Sequence, residues 1–497
     1  MEEFLLNLFT TLNSYLSDYI LLILLIGIGI FYTIKTRFVQ VRCLGEGLKK
    51  VFGNFKLNGK KEKSGMSSFQ AFTTAVAAQV GTGNIVGACG AIIAGGPGAI
   101  FWMWIIAFLG MSTIYAEAVL AQKTRVINTD GSISGGPVYY IKKAFKGGFG
   151  KFLAGFFAVA IIIALGFIGS MVQSNSISEA VNGATGIPTW VIGIVLVVLA
   201  AIIFIGGISR LASVTEKLVP IMAIVYLLGG IIVICCRITY LPEAFGMIFK
   251  YAFSPNAIIG GGIGYAIKTA ISQGAKRGLF SNEAGMGSTP HAHAQANVKT
   301  PHEQGITAMV GVFIDTFVVL TTTALIVITT MYAGNGEIAI ISKGVFAQNG
   351  GIKELADALK QAGIDKNTLV AKSIAVLFNS SNIGLTIGSV FVALCLTFFA
   401  FSTIISWNMF GKINFNYLFG KKGTMVYSVL SLIFILLGSL VSNGLVWELT
   451  DFFNYLMVFP NALALFALSK MVLEELNKNA CRKKGELPLK EQEQKIS

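Results

Sequence analysis

The sequence predicts an all-α membrane protein: a polytopic bundle in which one N-terminal helix precedes ten more, divided five and five. Three observations carry that prediction. Of the 497 residues, 54% are hydrophobic and only 12% are charged, with a mean hydropathy of +0.72, so a soluble fold would lack the polar residues to cover its surface. Stretches such as 19–34, 152–169, 189–205 and 423–441 approach or reach the roughly 20 apolar residues that cross a ~30 Å hydrocarbon core. Finally, the opening helix of each group of five is interrupted by glycines and polar residues.

Eleven spans are expected, at 19–36, 68–94, 97–121, 151–177, 188–206, 213–236, 261–296, 304–332, 383–410, 423–442 and 447–470. The first is a permanent helix and not a cleaved signal peptide, because Glu2 and Glu3 precede it and no basic n-region exists. That helix and a basic loop occupy 1–66, the first five-helix repeat 67–236, the second 237–475, and a basic tail 476–497.

Topology follows from charge. The net charge of +14 comes from Lys and Arg gathered in loops and tails, which marks cytoplasmic segments and anionic-lipid contacts and not a nucleic-acid surface. Arg37, Arg42, Lys49, Lys50, Lys56, Lys60, Lys61 and Lys63 place the loop after the first helix in the cytoplasm and the N-terminus outside. Alternation then requires 122–150, 207–217, 411–422 and the tail after Lys470 to be cytoplasmic, and all four are basic. The polar stretch 333–382 falls outside, with a short surface helix expected over Lys353–Ala362. The six cysteines, at 43, 89, 235, 236, 395 and 481, form no CxxC pair and no metal spacing, and read as reduced small apolar residues.

The chemistry centres on the helix breaks. The first lies at Ala77-Ala78-Gln79-Val80-Gly81-Thr82-Gly83-Asn84, the second over Ser272–Gly287. Irregular backbone at membrane depth survives only where protein, water or a bound ion satisfies it. Paired interrupted helices in two halves point to a secondary transporter with inverted repeats, the leucine-transporter arrangement. At the first break, carbonyls at the end of one half-helix suit a cation, and N–H groups at the start of the next suit a carboxylate. Thr82 and Asn84 add side-chain oxygens, and Gly83 lets cargo approach the backbone. A small zwitterionic amino acid with a monovalent cation fits. In Phe399-Ala400-Phe401-Ser402-Thr403, two hydroxyls could simply bond back to carbonyls one turn earlier. The sharper reading is a sodium site made of Ser402, Thr403 and the carbonyls of Phe399, Ala77 and Val80. Trp407 lies one turn past Thr403 on the same face, as a wall of the cargo pocket.

The pattern Val80-Gly81-Thr82-Gly83-Asn84 resembles the V-G-x-G-N break of the neurotransmitter:sodium symporters. The longer runs Thr74–Gly87 and Arg277–Gly287 resemble those of the alanine/glycine:cation symporter family, over about 20–475 of the chain. The resemblance implies sodium-coupled uptake of alanine and glycine across a plasma membrane, on a leucine-transporter-like 5+5 inverted-repeat core with one extra N-terminal helix. It adds Phe167 and Gln173 of the third core helix to the expected site. Gln79 and Asn282 are candidate polar contacts, and Phe280 joins Phe167 and Trp407 in limiting side-chain size. Sodium is the coupling ion and no other cofactor is expected; the protein is expected to act as a monomer in lipid. A serine carrier, or coupling to protons, is the neighbouring alternative.

Glu117, Lys268, Lys276, Arg277, Glu283 and Asp315 fall in or near predicted spans, where charges face partners or water. Most such groups make structural or gating ion pairs, though Lys276, Arg277 and Glu283 could contact substrate. His291 and His293, two apart on a helix, point in different directions and suit no metal. There is no HExxH, GxSxG or Walker A motif, so neither hydrolysis nor ATP-driven pumping has machinery. A channel would need a continuous polar lining, whereas these polar residues cluster at one depth.

Overall fold

A computed structural model describes residues 2–53, 65–253, 263–347, 352–441 and 443–483. Lys56, Lys60, Lys61 and Lys63, the start of the expected span 261–296 and the tail beyond Lys483 lie outside them. The main helices are α1 Glu2–Tyr15, α2 Leu22–Lys35, α3 Leu44–Phe52, α4 Ser68–Gln79, α5 Gly83–Gly95, α6 Gly98–Thr124, α7 Gly147–Thr185, α8 Thr189–Ile205 and α9 Gly207–Cys236. They continue as α10 Ile263–Asn282, α11 Pro290–Gln295, α12 Pro301–Tyr332, α13 Asn382–Phe419, α14 Thr424–Gly438 and α15 Asn443–Ala467.

Among the described residues, seven helices are long and apolar enough to cross a membrane, and the bent pair α4–α5, which turns by 45°, makes an eighth. Helices α2 and α8 are apolar but shorter, at 14 and 17 residues. The 20-residue α10 carries Lys268, Lys276 and Arg277, too polar to qualify by composition alone. The chain is thus a multi-pass membrane protein.

Local chemistry sets the helix ends. Ser67 caps α4: its hydroxyl accepts from the Gln70 N–H, and the Gln70 side chain accepts from the Ser67 N–H, both at 3.1 Å. Such reciprocal bonds satisfy two of the amides that a helix N-terminus leaves unpaired. Thr300, followed by Pro301, caps α12. Within the long helices, Ile162–Gly169 and Phe313–Leu320 widen to π-helical turns, as does Gly83–Gly87 at the start of α5. Such turns cluster at functional positions, and Gly83–Gly87 directly follows the first break.

Two short strands reveal the sense of the broken helices. Met66–Ser67, just before α4, pairs with Ala296–Asn297, just after α11. One broken helix therefore leaves the membrane face at which the other arrives, so the two run in opposite senses.

The second break is narrower than expected. Helix α10 runs unbroken through Gly274 and Gly278 to Asn282, and only 283–289 is irregular. Gly274 is there for contact: a Cβ on it would sit 2.6 Å from Trp102 Cβ and 2.7 Å from the Ala99 carbonyl oxygen of α6. The segment 333–382 is also more helical than expected, with Glu337–Ala347, Ile352–Gln361 and Leu369–Ala375 in place of one surface helix.

That segment caps one end of the bundle. Lys366 places its ammonium 4.6 Å from the Trp447 ring, and Arg277 lies 4.9 Å from the same ring. Burial, aided by the Arg277 charge, lowers the Lys366 amine to about 8. Arg277 also holds Asp451 in a bidentate ion pair at 3.0 and 3.3 Å.

Gly274→Val should destabilise the folded protein by about 1–3 kcal/mol, the usual cost of overpacking. Gly246→Ala, where a Cβ meets nothing within 4 Å, is the control. Thermal unfolding in detergent reads both; equal midpoints would show that the α6–α10 contact yields freely.

Candidate functional site

The two breaks face each other at close range. A Cβ on Gly83 would lie 3.0 Å from Ser281 Cα and 3.1 Å from the Phe280 ring. On the other side of the first break, a Cβ on Gly81 would lie 2.6 Å from Thr403 Oγ1 and 3.3 Å from Gln173 Oε1. Both glycines are required because α10, α13 and α7 crowd the break.

Three buried carboxylates tie this centre together. Asp315 accepts from Asn84 Nδ2 at 2.6 Å, from Ser281 Oγ at 2.9 and 3.0 Å, and from Thr316 Oγ1 at 2.7 Å, so one side chain ties both breaks together. Glu117 of α6 accepts from the N–H groups of Gly285 and Gly287 at 3.1 and 2.9 Å, and from Asn461 at 2.6 Å. Those amides belong to the irregular segment, where Gly285 and Gly287 adopt φ of 90° and 79°, a region open to glycine and costly for other residues. Glu283 sits there too, at φ 57°, strain of a kind that collects at functional sites. Its carboxylate accepts from Ser288 Oγ at 2.6 Å and Trp407 Nε1 at 2.5 Å. The sequence marked these acids as charges in or near predicted spans, Glu283 within the second break, but did not reveal their partners, which lie 1 to 344 positions away.

The expected cation ligands come together in part. Thr403 Oγ1 donates to the Ala77 carbonyl at 2.8 Å, bridging α13 to the end of α4, and lies 3.0 Å from the Phe399 carbonyl. Val80, with ψ of 89°, leaves the helix just beyond. Ser402 is placed differently: its hydroxyl turns back to the Phe399 carbonyl at 2.8 Å and toward Met222 Sδ at 3.4 Å.

Of the expected cargo contacts, Gln79, Thr82, Gly83, Asn84, Gln173, Phe280, Asn282 and Trp407 converge on the breaks. Gln79 Nε2 donates to the Asn282 carbonyl at 2.8 Å, and the Thr82 N–H to Gln173 Oε1 at 3.3 Å. Phe280 meets Trp407 edge-on at 6.1 Å and stands 4.9 Å from Trp447. Phe167 does not join them. Its ring stacks on Phe434 at 4.8 Å and approaches Tyr427 at 5.6 Å, because this turn of α7 presents Gly169, not Phe167, to the Trp407 ring. Buried Gln79 Oε1, Thr82 Oγ1 and Ser406 Oγ have no hydrogen-bond partner among the described residues. Each such atom costs about 1–3 kcal/mol, and a polar ligand between the breaks would recover that cost.

Two other features are not cargo sites. A groove of about 370 Å³ bordered by Leu48, Phe72, Val76, Met222 and Val318 is almost wholly apolar and offers a zwitterion nothing. His291 pairs with the Ser288 carbonyl and Asn414, and His293 with Gln304, so both rings serve in hydrogen bonds within the fold.

The chain aligns at 39% identity with the sodium/alanine symporter AgcS of Methanococcus maripaludis, covering 94% of this chain and 96% of that one. It is 39% identical to the putative sodium/proton-dependent alanine carrier protein YrbD of Bacillus subtilis (95% and 92%). The probable sodium/glutamine symporter GlnT of the same organism is 35% identical (98% and 93%). Among solved structures, MhsT in complex with L-phenylalanine superposes with a TM-score of 0.53 over 84% of this chain and 98% of that one, at 15% identity, which places the fold with the leucine-transporter type. The model of the sodium:alanine symporter family matches residues 2–493, and the chain belongs to that family.

Proposed function

We propose that this sodium-coupled amino-acid symporter carries alanine and glycine in a pocket between its two helix breaks. The observation that carries the reading is the bridge from Thr403 Oγ1 to the Ala77 carbonyl beside the partnerless Thr82 hydroxyl: cation-type oxygens on one side of the break, cargo-type groups on the other. Sodium takes the carbonyls of Ala77, Val80 and Phe399 with the hydroxyls of Thr403 and Ser402, the last after a rotamer change away from Met222. Thr82, Gly83 and Asn84 orient the cargo carboxylate and amine, with Gln79, Gln173 and Asn282 as polar neighbours. Phe280 and Trp407 limit the side chain to a methyl group or smaller; Phe167 supports the wall from behind. A small pocket of this kind favours alanine over the larger glutamine.

Eleven spans complete the reading: the eight recognised by length and composition, plus α2, α8 and the broken α10–α11. The repeats are 67–236 and 237–475, the N-terminus and 333–382 lie outside, and the basic loops and tail lie in the cytoplasm. Alternating access moves one repeat core against the rest. A potential of ~100 mV contributes ~2.3 kcal/mol per sodium and a tenfold sodium gradient ~1.4 kcal/mol, so one ion supports roughly 500-fold accumulation. Uptake of labelled alanine into proteoliposomes, with unlabelled competitors and with or without sodium, tests the proposal. Sodium-independent flux, or stronger competition by glutamine than by alanine, would overturn it.

Three variants probe the parts. Thr403→Ala removes one oxygen ligand and should raise the half-saturating sodium concentration roughly tenfold, ~1.4 kcal/mol, with the order of amino-acid preference unchanged. Gly83→Val should abolish alanine binding in protein that remains monodisperse, since even a methyl group there reaches Ser281; affinity retained within about threefold would put the cargo elsewhere. Trp407→Ala should weaken alanine binding, because truncating a buried large aromatic costs about 3–5 kcal/mol, and should admit valine or leucine. Loss of alanine uptake with no gain for larger substrates would mean that Trp407 only packs.

A further inference from the structure

We propose that Cys43, Glu46 and His302 form a binding site for a divalent transition-metal ion of the zinc class, where it pins α3 to the start of α12. The site stands apart from the cargo centre. Helix α12 begins at Pro301 on the membrane face opposite 333–382, and α3 lies against that beginning.

Chain separation hid the constellation: Cys43 and His302 are 259 residues apart. Cys43 immediately precedes α3, and Glu46 follows three positions later, the spacing that puts two side chains on one helix face. The helix backbone approaches α12 closely, since a Cβ on Gly47 would lie 2.7 Å from the Ile306 carbonyl oxygen. Lys50 and Glu303 close the next turn with an ion pair at 2.8 Å.

The Cys43 sulfur, a Glu46 carboxylate oxygen and a His302 ring nitrogen all lie within 4.8 Å of one another. His302 Nε2 stands 4.0 Å from Glu46 Oε2. Bond lengths of about 2.3 Å to sulfur and 2.0–2.2 Å to nitrogen and oxygen put tetrahedral zinc ligands roughly 3.3–3.8 Å apart. Half-buried Glu46 can swing the remaining distance, while the other two ligands are buried. The other imidazole nitrogen is already held: the Tyr115 hydroxyl of α6 pairs with His302 Nδ1 at 2.8 Å. Donating Nδ1–H there leaves the Nε2 lone pair for a metal, the outer-shell support that metal-bound histidines ordinarily have. Thiolate, imidazole and carboxylate together select zinc-class ions over sodium, which prefers oxygen alone. Binding releases the Cys43 thiol proton to solvent and leaves a fourth position for water, so the ion is exchangeable. Bound metal would fasten α3 to α12, the helix that carries Asp315, and slow any motion parting them.

Cobalt(II) titration of the full-length protein in detergent is the test. One equivalent should produce a thiolate-to-cobalt charge-transfer band with tetrahedral d–d absorption, both erased by added zinc. Cys43→Ser should lose the charge-transfer band, and Tyr115→Phe should weaken binding by at least about tenfold. Glu303→Gln, which breaks the neighbouring ion pair only, should leave the band intact. His302→Gln gives an independent reading if Cys43→Ser does not fold, and must weaken binding as well. No charge-transfer band in the wild-type protein, or one that survives both substitutions, would overturn the site. Zinc should also slow sodium-driven uptake by the wild-type protein and not by Cys43→Ser; equal sensitivity of the two would overturn the pinning.

Discussion

Backbone amides cannot be left unpaired inside a hydrocarbon core, where each costs several kcal/mol, and the architecture of the centre follows from that constraint. Two helices stop at mid-depth and resume, and the groups they free are claimed from neighbouring elements. Glu117 takes two amides of the second break. Asn84 Oδ1 takes the Gly81 amide of the first at 3.0 Å, and Gln79 caps the Asn282 carbonyl where α10 ends. Asn84 caps within its own break, but Glu117 and Gln79 reach across from other helices, so these breaks are completed only in the assembled bundle. The assembled bundle in turn acquires directional donors and acceptors at one point.

Charge at that point is arranged unusually. Asp315, Glu117 and Glu283 are fully buried, and each accepts hydrogen bonds from neutral amides, hydroxyls or an indole. Burying a carboxylate is costly unless hydrogen bonds or an opposite charge satisfy it. Here hydrogen bonds from neutral donors meet part of the cost. Asp315 has a further consequence: since it bonds to Asn84 and Ser281 together, a change in what it binds is felt at both breaks. Arg277, by contrast, spends its charge at the rim on Asp451 and Trp447, and Phe280 links that rim through Trp447 to Trp407. Ring contacts thus join the 333–382 cap to the breaks.

Membrane class, the long apolar spans and the first break were legible in the residues, because hydropathy and glycine-polar interruptions are local signals. So was Trp407, one turn from Thr403 on a single helix. The extent of the second break was not. Gly274 reads like Gly285 and Gly287, yet it marks close helix packing and they mark a true change of backbone direction. Only the neighbour across the contact, Trp102 in one case and Glu117 in the other, separates the two uses of glycine. The placement of Phe167 illustrates the same limit, since a π-helical turn in α7 sets which face it presents.

The sequence by itself determined that this is a glycine-broken helical carrier in a membrane, since period, composition and helix ends depend on residues close together in the chain. Tertiary structure alone decided which distant groups share a site: Thr403 with Ala77, Asp315 with Asn84 and Ser281, Glu283 with Trp407, and Cys43 and Glu46 with His302. Those pairings are made by packing between helices, and a carboxylate or thiol carries no mark in the sequence of the partner that the fold will bring to it.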